Sequence, residues 1–124
     1  MNSRKLILAV TLLLGGMMGT SASAHAYTFY WSKVEVKTAS WQACMNFANT
    51  VASQLSLSQI RRDNLAVTGS RNGADATITC IGTGGNSHAM AVIMVVGDSD
   101  QPVRQLRDDL ANQITRIQCF DSPC

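Results

Sequence analysis

The chain has 124 residues and a mass of 13.3 kDa, which is room for a single domain. Hydrophobic residues make up 46% of it and charged residues only 15%, a balance that excludes a disordered chain. The formal net charge is +2, but Arg4 and Lys5 lie in a predicted leader, and the rest has eight basic and eight acidic residues. This balance argues against binding to nucleic acid, which requires clustered Lys and Arg.

The N-terminal segment is typical of a secretory signal peptide. After Arg4 and Lys5, residues 6–19 are uncharged and mostly apolar, and small polar residues follow up to Ala26. We predict a signal peptide over residues 1–26 and one exported domain over residues 27–124, periplasmic or secreted and free of the membrane. Cleavage after Ala24 is the alternative. An uncleaved anchor is disfavoured, because 14 helical residues rise only about 21 Å.

Four cysteines follow the leader, at Cys44, Cys80, Cys119 and Cys124. An even number of cysteines in an exported domain of this size predicts two disulfide bonds. Three pairings are possible, and the spacing alone does not select one of them.

The first half of the domain reads as a strand, a helix and a connector. Aromatic and β-branched residues predict a strand over residues 27–37. Apolar residues at helical spacing predict a helix from Trp41 to about Leu55, capped by Ser40. Residues 56–64 are expected to form a connector, with Leu57 and Ile60 turned inward.

The second half reads as three strands and a helix. We predict strands over residues 65–70, 74–82 and 87–97, with a turn at Asn72-Gly73 and another over residues 83–86. The last of these strands is apolar on both faces. A helix is predicted from about residue 101 to residue 117, behind a cap at Ser99 or Asp100.

The order β-α-β-β-β-α predicts an α+β two-layer sandwich. Two helices would cover one face of a mainly antiparallel, four-stranded sheet. Cys44 lies on the apolar stripe of the first helix, and Cys80 lies on the inward face of a strand beside Ile78. A Cys44–Cys80 bridge would therefore join helix to sheet, which leaves Cys119 and Cys124 to close a small loop.

Several segments resemble small exported bacterial domains of unassigned function. The matching pieces are Cys44 in a helix, Val67-Thr68-Gly69 in a turn, the strand over residues 76–80 that ends in Cys80, and the apolar strand over residues 91–97. The resemblance extends over residues 41–117. It supports the fold and the Cys44–Cys80 disulfide, and it implies no catalytic residue.

Signatures of enzymes are nearly absent from the sequence. It contains no nucleophile elbow, no zinc-type histidine pair and no phosphate-loop lysine. Gly82, Gly84 and Gly85 are typical of a hairpin turn, and the Cys119–Cys124 spacing differs from that of redox pairs. We therefore predict a protein with no catalytic residues and no cofactor.

One strand face carries a weak alternative site for a soft metal ion. His88, Met90 and Met94 alternate on a single face, and imidazole and thioether ligands suit copper. His25 would add a ligand if cleavage left it at the N-terminus. The simpler interpretation is that both methionines pack in the core and His88 lies at the strand end.

The other face of the same strand predicts a contact surface. Helices can cover only one face of a two-layer domain, so the second apolar face must meet a partner or be covered otherwise. The expected surface consists of Phe29, Trp31, Ala89, Ala91, Ile93 and Val95. The alternative is that the first strand's aromatic residues or the C-terminal tail fold over it.

The leading hypothesis is an exported, non-enzymatic domain that binds a protein partner in the bacterial envelope, as an inhibitor or immunity protein does. A homodimer is also possible. Copper or small-ligand binding is the alternative, and a hydrolase with an unrecognised site is the least favoured. The binding hypothesis expects Trp31→Ala or Ile93→Asp to abolish partner binding without unfolding the domain.

Overall fold

The computed structural model of the chain describes residues 26–82 and 88–117, which form five strands and two helices. We number strands and helices separately in chain order. They are β1 (Thr28–Val36), α1 (Trp41–Gln54), β2 (Ser58–Arg62), β3 (Ala66–Arg71), β4 (Ala74–Ile81), β5 (Ala89–Gly97) and α2 (Asp100–Arg116).

The strands form one antiparallel sheet in the order β1-β5-β4-β3-β2. The predicted α+β class is confirmed, but the sheet has five strands instead of four. The additional strand is β2, which the sequence analysis assigned to a connector. It pairs with β3 through Ser58–Ser70 and Arg61–Thr68, with a register shift between these pairs. The strand is short, its register is irregular and Gln59 has a positive φ. The sequence of β2 therefore lacks the alternation of apolar and polar residues that identifies a strand.

Both helices pack against one face of the sheet, which we call the inner face. From α1, Cys44, Met45, Ala48 and Val51 are fully buried. From α2, the buried residues are Val103, Leu106, Leu110 and Ile114, as the helical spacing predicted. Trp41 departs from the predicted stripe, since 37% of it is exposed.

The Cys44–Cys80 disulfide is confirmed and joins α1 to β4 at a Cα–Cα distance of 6.0 Å. Leu57 is buried and Ile60 is partly buried against the core, as predicted. The bridge thus fixes the first helix to the central strand of the sheet.

Local signals fix where the elements begin and turn. The hydroxyl of Ser40 accepts a hydrogen bond from the Ala43 N–H at 3.2 Å, which confirms the predicted cap of α1. Asn72 and Gly73 have φ values of 52° and 76°, the left-handed pair that a tight hairpin between β3 and β4 requires. At the end of β5, a Cβ on Gly97 would lie 2.6 Å from the Gly73 carbonyl oxygen, so only glycine fits this close approach.

Three predicted features lie outside the described residues: residues 1–25 of the leader, the turn over residues 83–86, and the loop closed by Cys119 and Cys124. Within residues 26–82 and 88–117, neither helix is long and apolar enough to cross a membrane.

Candidate functional site: the outer face of the sheet

The two faces of β5 are the reverse of the predicted arrangement. Ala89, Ala91, Ile93 and Val95 are fully buried beneath the helices, so they do not share a surface with Phe29 and Trp31. Their face is the inner one because it contacts the apolar stripes of both helices. The opposite side, which we call the outer face, carries Met90, Val92, Met94 and Val96.

An apolar corner lies on the outer face where β1 meets β5. Phe29 pairs with Val96, and Trp31 pairs with Met94. Phe29 is 56% exposed and Trp31 is 60% exposed, while Val96 and Met94 are 38% and 37% exposed. Large apolar side chains that remain this accessible on adjacent strands form a contiguous patch, which we call the aromatic corner. Contiguous patches of this kind mark interaction sites more often than scattered apolar residues do.

The outer face becomes polar towards β3 and β2. The row that begins with Trp31 and Met94 continues through Thr77 and Thr68 to Arg61, and it crosses all five strands. An open groove of about 370 Å³ lies along this row, and Phe29, Asp75, Thr77, Met94 and Val96 help to line it. A second groove of about 360 Å³ continues beyond it over the polar half of the face.

Asp75 marks the boundary between the apolar and the polar halves. It lies beside Val96 in the sheet register and lines both grooves. The hydroxyl of Ser70 donates a hydrogen bond to its carboxylate at 2.5 Å. The site therefore combines an apolar corner with a hydrogen-bonded acidic side chain at its rim, an arrangement common in protein interfaces.

The strand that carries the two aromatic residues is held to α2 from the inner side. The Tyr30 hydroxyl donates a hydrogen bond to the Asp100 carboxylate at 2.5 Å, and Arg104 forms an ion pair with the same carboxylate. The guanidinium groups of Arg104 and Arg107 lie 5.7 and 5.3 Å from the centre of the Tyr30 ring. The Tyr30 hydrogen bond, and to a smaller extent Arg104, lower the pKa of Asp100.

The structure separates the residues of the predicted copper site. His88 precedes β5, and its Nδ1 lies 3.6 Å from a carboxylate oxygen of Glu35. Met94 lies six residues farther along the chain in the same direction, which corresponds to about 20 Å in an extended strand. One ion cannot contact both side chains over this distance. Met90 lies between them on the outer face, and His25 lies outside the described residues.

Met94 and Val96 are the surface residues that the sequence analysis missed. The sequence predicts that Met90 and Met94 pack in the core, because both faces of β5 are apolar. Residue size is the signal that could have separated them. The inner face contains Ala89, Ala91 and Gly97, which leave room for close helices, whereas every outer residue from 90 to 96 is larger than alanine.

The geometry defines an α+β sandwich with one helix-covered sheet face and one open face. In the described part of the chain, no three His, Cys, Asp or Glu side chains converge as metal ligands would. Comparison of the chain with protein-family models, with curated proteins and with solved structures gives no match in any of the three.

Proposed function

We propose that this protein is an exported, non-catalytic domain that binds another protein of the bacterial envelope through the outer face of its sheet. The observation that carries the proposal is the exposure of Phe29, Trp31, Met94 and Val96 on adjacent strands. Both helices pack on the inner face, so neither covers this patch. An inhibitor or immunity protein is the specific form of this function that we favour.

The composition of the aromatic corner supports a protein as its ligand. Aromatic residues and Met are enriched in the buried cores of protein interfaces, and charged residues are concentrated at their rims. The aromatic corner has the same arrangement of an apolar centre and a charged rim. Lys33 lies on one side of Trp31 and Met94, and Asp75 lies on the other. The open, shallow grooves fit a broad protein surface better than a small ligand, which typically requires an enclosed pocket.

The proposed location follows from the N-terminal sequence and is compatible with the disulfide. Structural disulfides persist in oxidising compartments and are rare in the cytosol. A rigid, cross-linked sheet also lowers the entropic cost of binding, because the backbone that carries the outer face is already ordered before the partner binds. These properties suit a domain whose task is recognition.

Photo-crosslinking in the cell tests the proposal. A photoreactive residue at position 94 would sample the outer face, and the same residue at position 50, which is exposed on α1, is the matched control. We expect a cross-link from position 94 to a different envelope protein and none from position 50. Trp31→Ala in the same chain should remove the cross-link.

Two results would contradict the proposal. One is a yield of cross-linked products from position 94 no greater than that from position 50. The other is a cross-link that persists unchanged in the Trp31→Ala variant, because such a contact would not depend on the aromatic corner.

A further inference from the structure

The two edges of the sheet differ in how they are protected from pairing. At one edge, β2 has only five residues and a register shift in its pairing with β3. These are devices by which natural proteins block edge-to-edge association. At the other edge, β1 has nine residues, contains no proline and pairs with β5 in unbroken register. No second strand of the described chain borders its free side.

The charges on β1 complement a second copy of the same strand. Lys33 and Glu35 are exposed on the outer face, one on each side of Val34. In an antiparallel pair with Val34 on the two-fold axis, Lys33 of each copy lies directly opposite Glu35 of the other. Directly opposite residues in antiparallel strands interact most strongly, and opposite charges at such positions are favourable. This register therefore forms two ion pairs by symmetry.

Other self-pairing registers lack this match among the residues of β1, Thr28–Val36. With Lys33 on the axis, two lysines would face each other, which is unfavourable. With Ser32 on the axis, Lys33 would lie opposite Trp31, and no ion pair would form. On the inner side, the register with Val34 on the axis brings the two Val34 side chains together and Ser32 opposite the buried Val36. These inner-side pairs are compatible with the register that the outer-face charges select.

We propose that the protein forms a homodimer by antiparallel pairing of β1 with β1 of a second copy, in the register that places Val34 on the two-fold axis. The interface is isologous, as a symmetric dimer requires. The two sheets then form one continuous ten-stranded sheet, and the two aromatic corners lie on the same side of it near the axis. The inference concerns the edge of the sheet, and it does not rest on the proposed envelope partner.

Charge reversal provides the test, with the full-length chain and its natural processing. Sedimentation equilibrium over a concentration series would measure the dimer dissociation constant for wild type, Lys33→Glu, Glu35→Lys and the double variant. Each single reversal creates two like-charge pairs, and we expect it to raise the dissociation constant at least about tenfold. The double variant should restore the dissociation constant to within about threefold of wild type.

Arg61→Glu on β2 is the matched control, because it reverses a charge on the opposite edge. It should leave the dissociation constant unchanged, and circular dichroism should show that all four variants are folded. Met94→Asp distinguishes edge pairing from stacking of two outer faces, and it should leave the dimer intact.

A monomeric wild-type protein at every concentration would overturn the inference. A dimer that neither single reversal weakens would also overturn it, and so would a double variant that does not restore the wild-type dissociation constant. Dissociation of the dimer by Arg61→Glu or by Met94→Asp would overturn it as well. Only dissociation by Met94→Asp would involve position 94, and it would predict a cross-link to a second copy instead of one to a different protein. The proposed function and the homodimer can therefore fail separately.

Discussion

The two faces of β5 carry side chains of similar hydrophobicity, yet one face is the centre of the core and the other is open. Ile93 is fully buried, whereas its neighbour Met94 is 37% exposed. The difference arises from what packs on each face and not from the strand itself. Two amphipathic helices and a disulfide cover the inner face. Among residues 26–82 and 88–117, no helix packs on the outer face. Apolar character therefore does not by itself predict burial.

Matched acidic substitutions on adjacent residues of β5 should give the largest contrast between the faces. Ile93→Asp places a carboxylate among apolar side chains with no partner, and we expect a loss of about 4 kcal/mol or more in the free energy of unfolding. Met94→Asp places the same group at a solvent-accessible position, with an expected change below about 1 kcal/mol. Urea denaturation of both variants measures the difference.

Equal destabilisation by the two substitutions would contradict the assignment of the faces. The same comparison corrects the expectation that Ile93→Asp would abolish partner binding without unfolding. Because Ile93 lies in the core, this substitution tests the fold, and Met94→Asp is the variant that tests the surface.

Removal of the disulfide is expected to have the next largest effect on the free energy of unfolding, because the bridge joins α1 to the inner face of the sheet. Cys44 and Cys80 are 36 positions apart, and a loop of this length is worth about 4 kcal/mol on the chain-entropy model. The Cys44→Ala/Cys80→Ala variant should show this loss in the free energy of unfolding. The side chains of its outer face should keep their environment while the protein is folded, which Trp31 fluorescence in a Trp41→Phe background at low temperature would check. A stability equal to that of wild type would show that the bridge is dispensable.

Tyr30→Phe should give a small effect that depends on pH. The variant loses the hydrogen bond that lowers the pKa of Asp100, so this pKa should rise towards its ordinary value. A carboxyl group with a lowered pKa in the folded state stabilises the fold above its unfolded pKa, and this contribution disappears as the pH falls through the folded pKa.

Wild type should therefore have a higher Tm than Tyr30→Phe at neutral pH, by less than about 4 °C. This difference in Tm should decrease in acid. Scanning calorimetry from pH 7 to pH 2 would measure it. A difference that is constant over this range would mean that the Tyr30 ring packing, and not the Asp100 carboxylate, is responsible.

Periodicity predicted most of the fold, because it reports which residues share one side of an element. The stripes of α1 and α2, the Ser40 cap and the Asn72-Gly73 turn all follow from local spacing. The Cys44–Cys80 pair follows from the predicted packing of helix on sheet. The strand β2 was missed because its irregular pairing with β3 depends on contacts distant in sequence. Its one local sign is Asp63, whose carboxylate accepts hydrogen bonds from the Leu65 and Ala66 N–H groups in the turn that follows.

The sequence predicts only the β1 half of the candidate site, because the β5 half depends, as β2 does, on contacts that are distant in sequence. Phe29 and Trp31 were correctly expected at the surface, since they alternate with the inward residues Tyr30 and Val34. Their partners on β5 were not, because both faces of that strand are apolar and the choice of face depends on where the helices pack. Only the register of β1 against β5 identifies Met94 and Val96 as their neighbours.

The proposed function requires the aromatic corner to contact a protein partner, so the affinity for that partner is the decisive measurement. With the protein captured from position 94 in purified form, calorimetry would compare its dissociation constant for wild type, Trp31→Ala and Thr50→Ala. Removal of a central Trp from an interface typically costs about 2 kcal/mol, so we predict a roughly thirtyfold weaker complex for Trp31→Ala and none of this loss for Thr50→Ala. An unchanged affinity in folded Trp31→Ala, or an equal loss in Thr50→Ala, would contradict the claim.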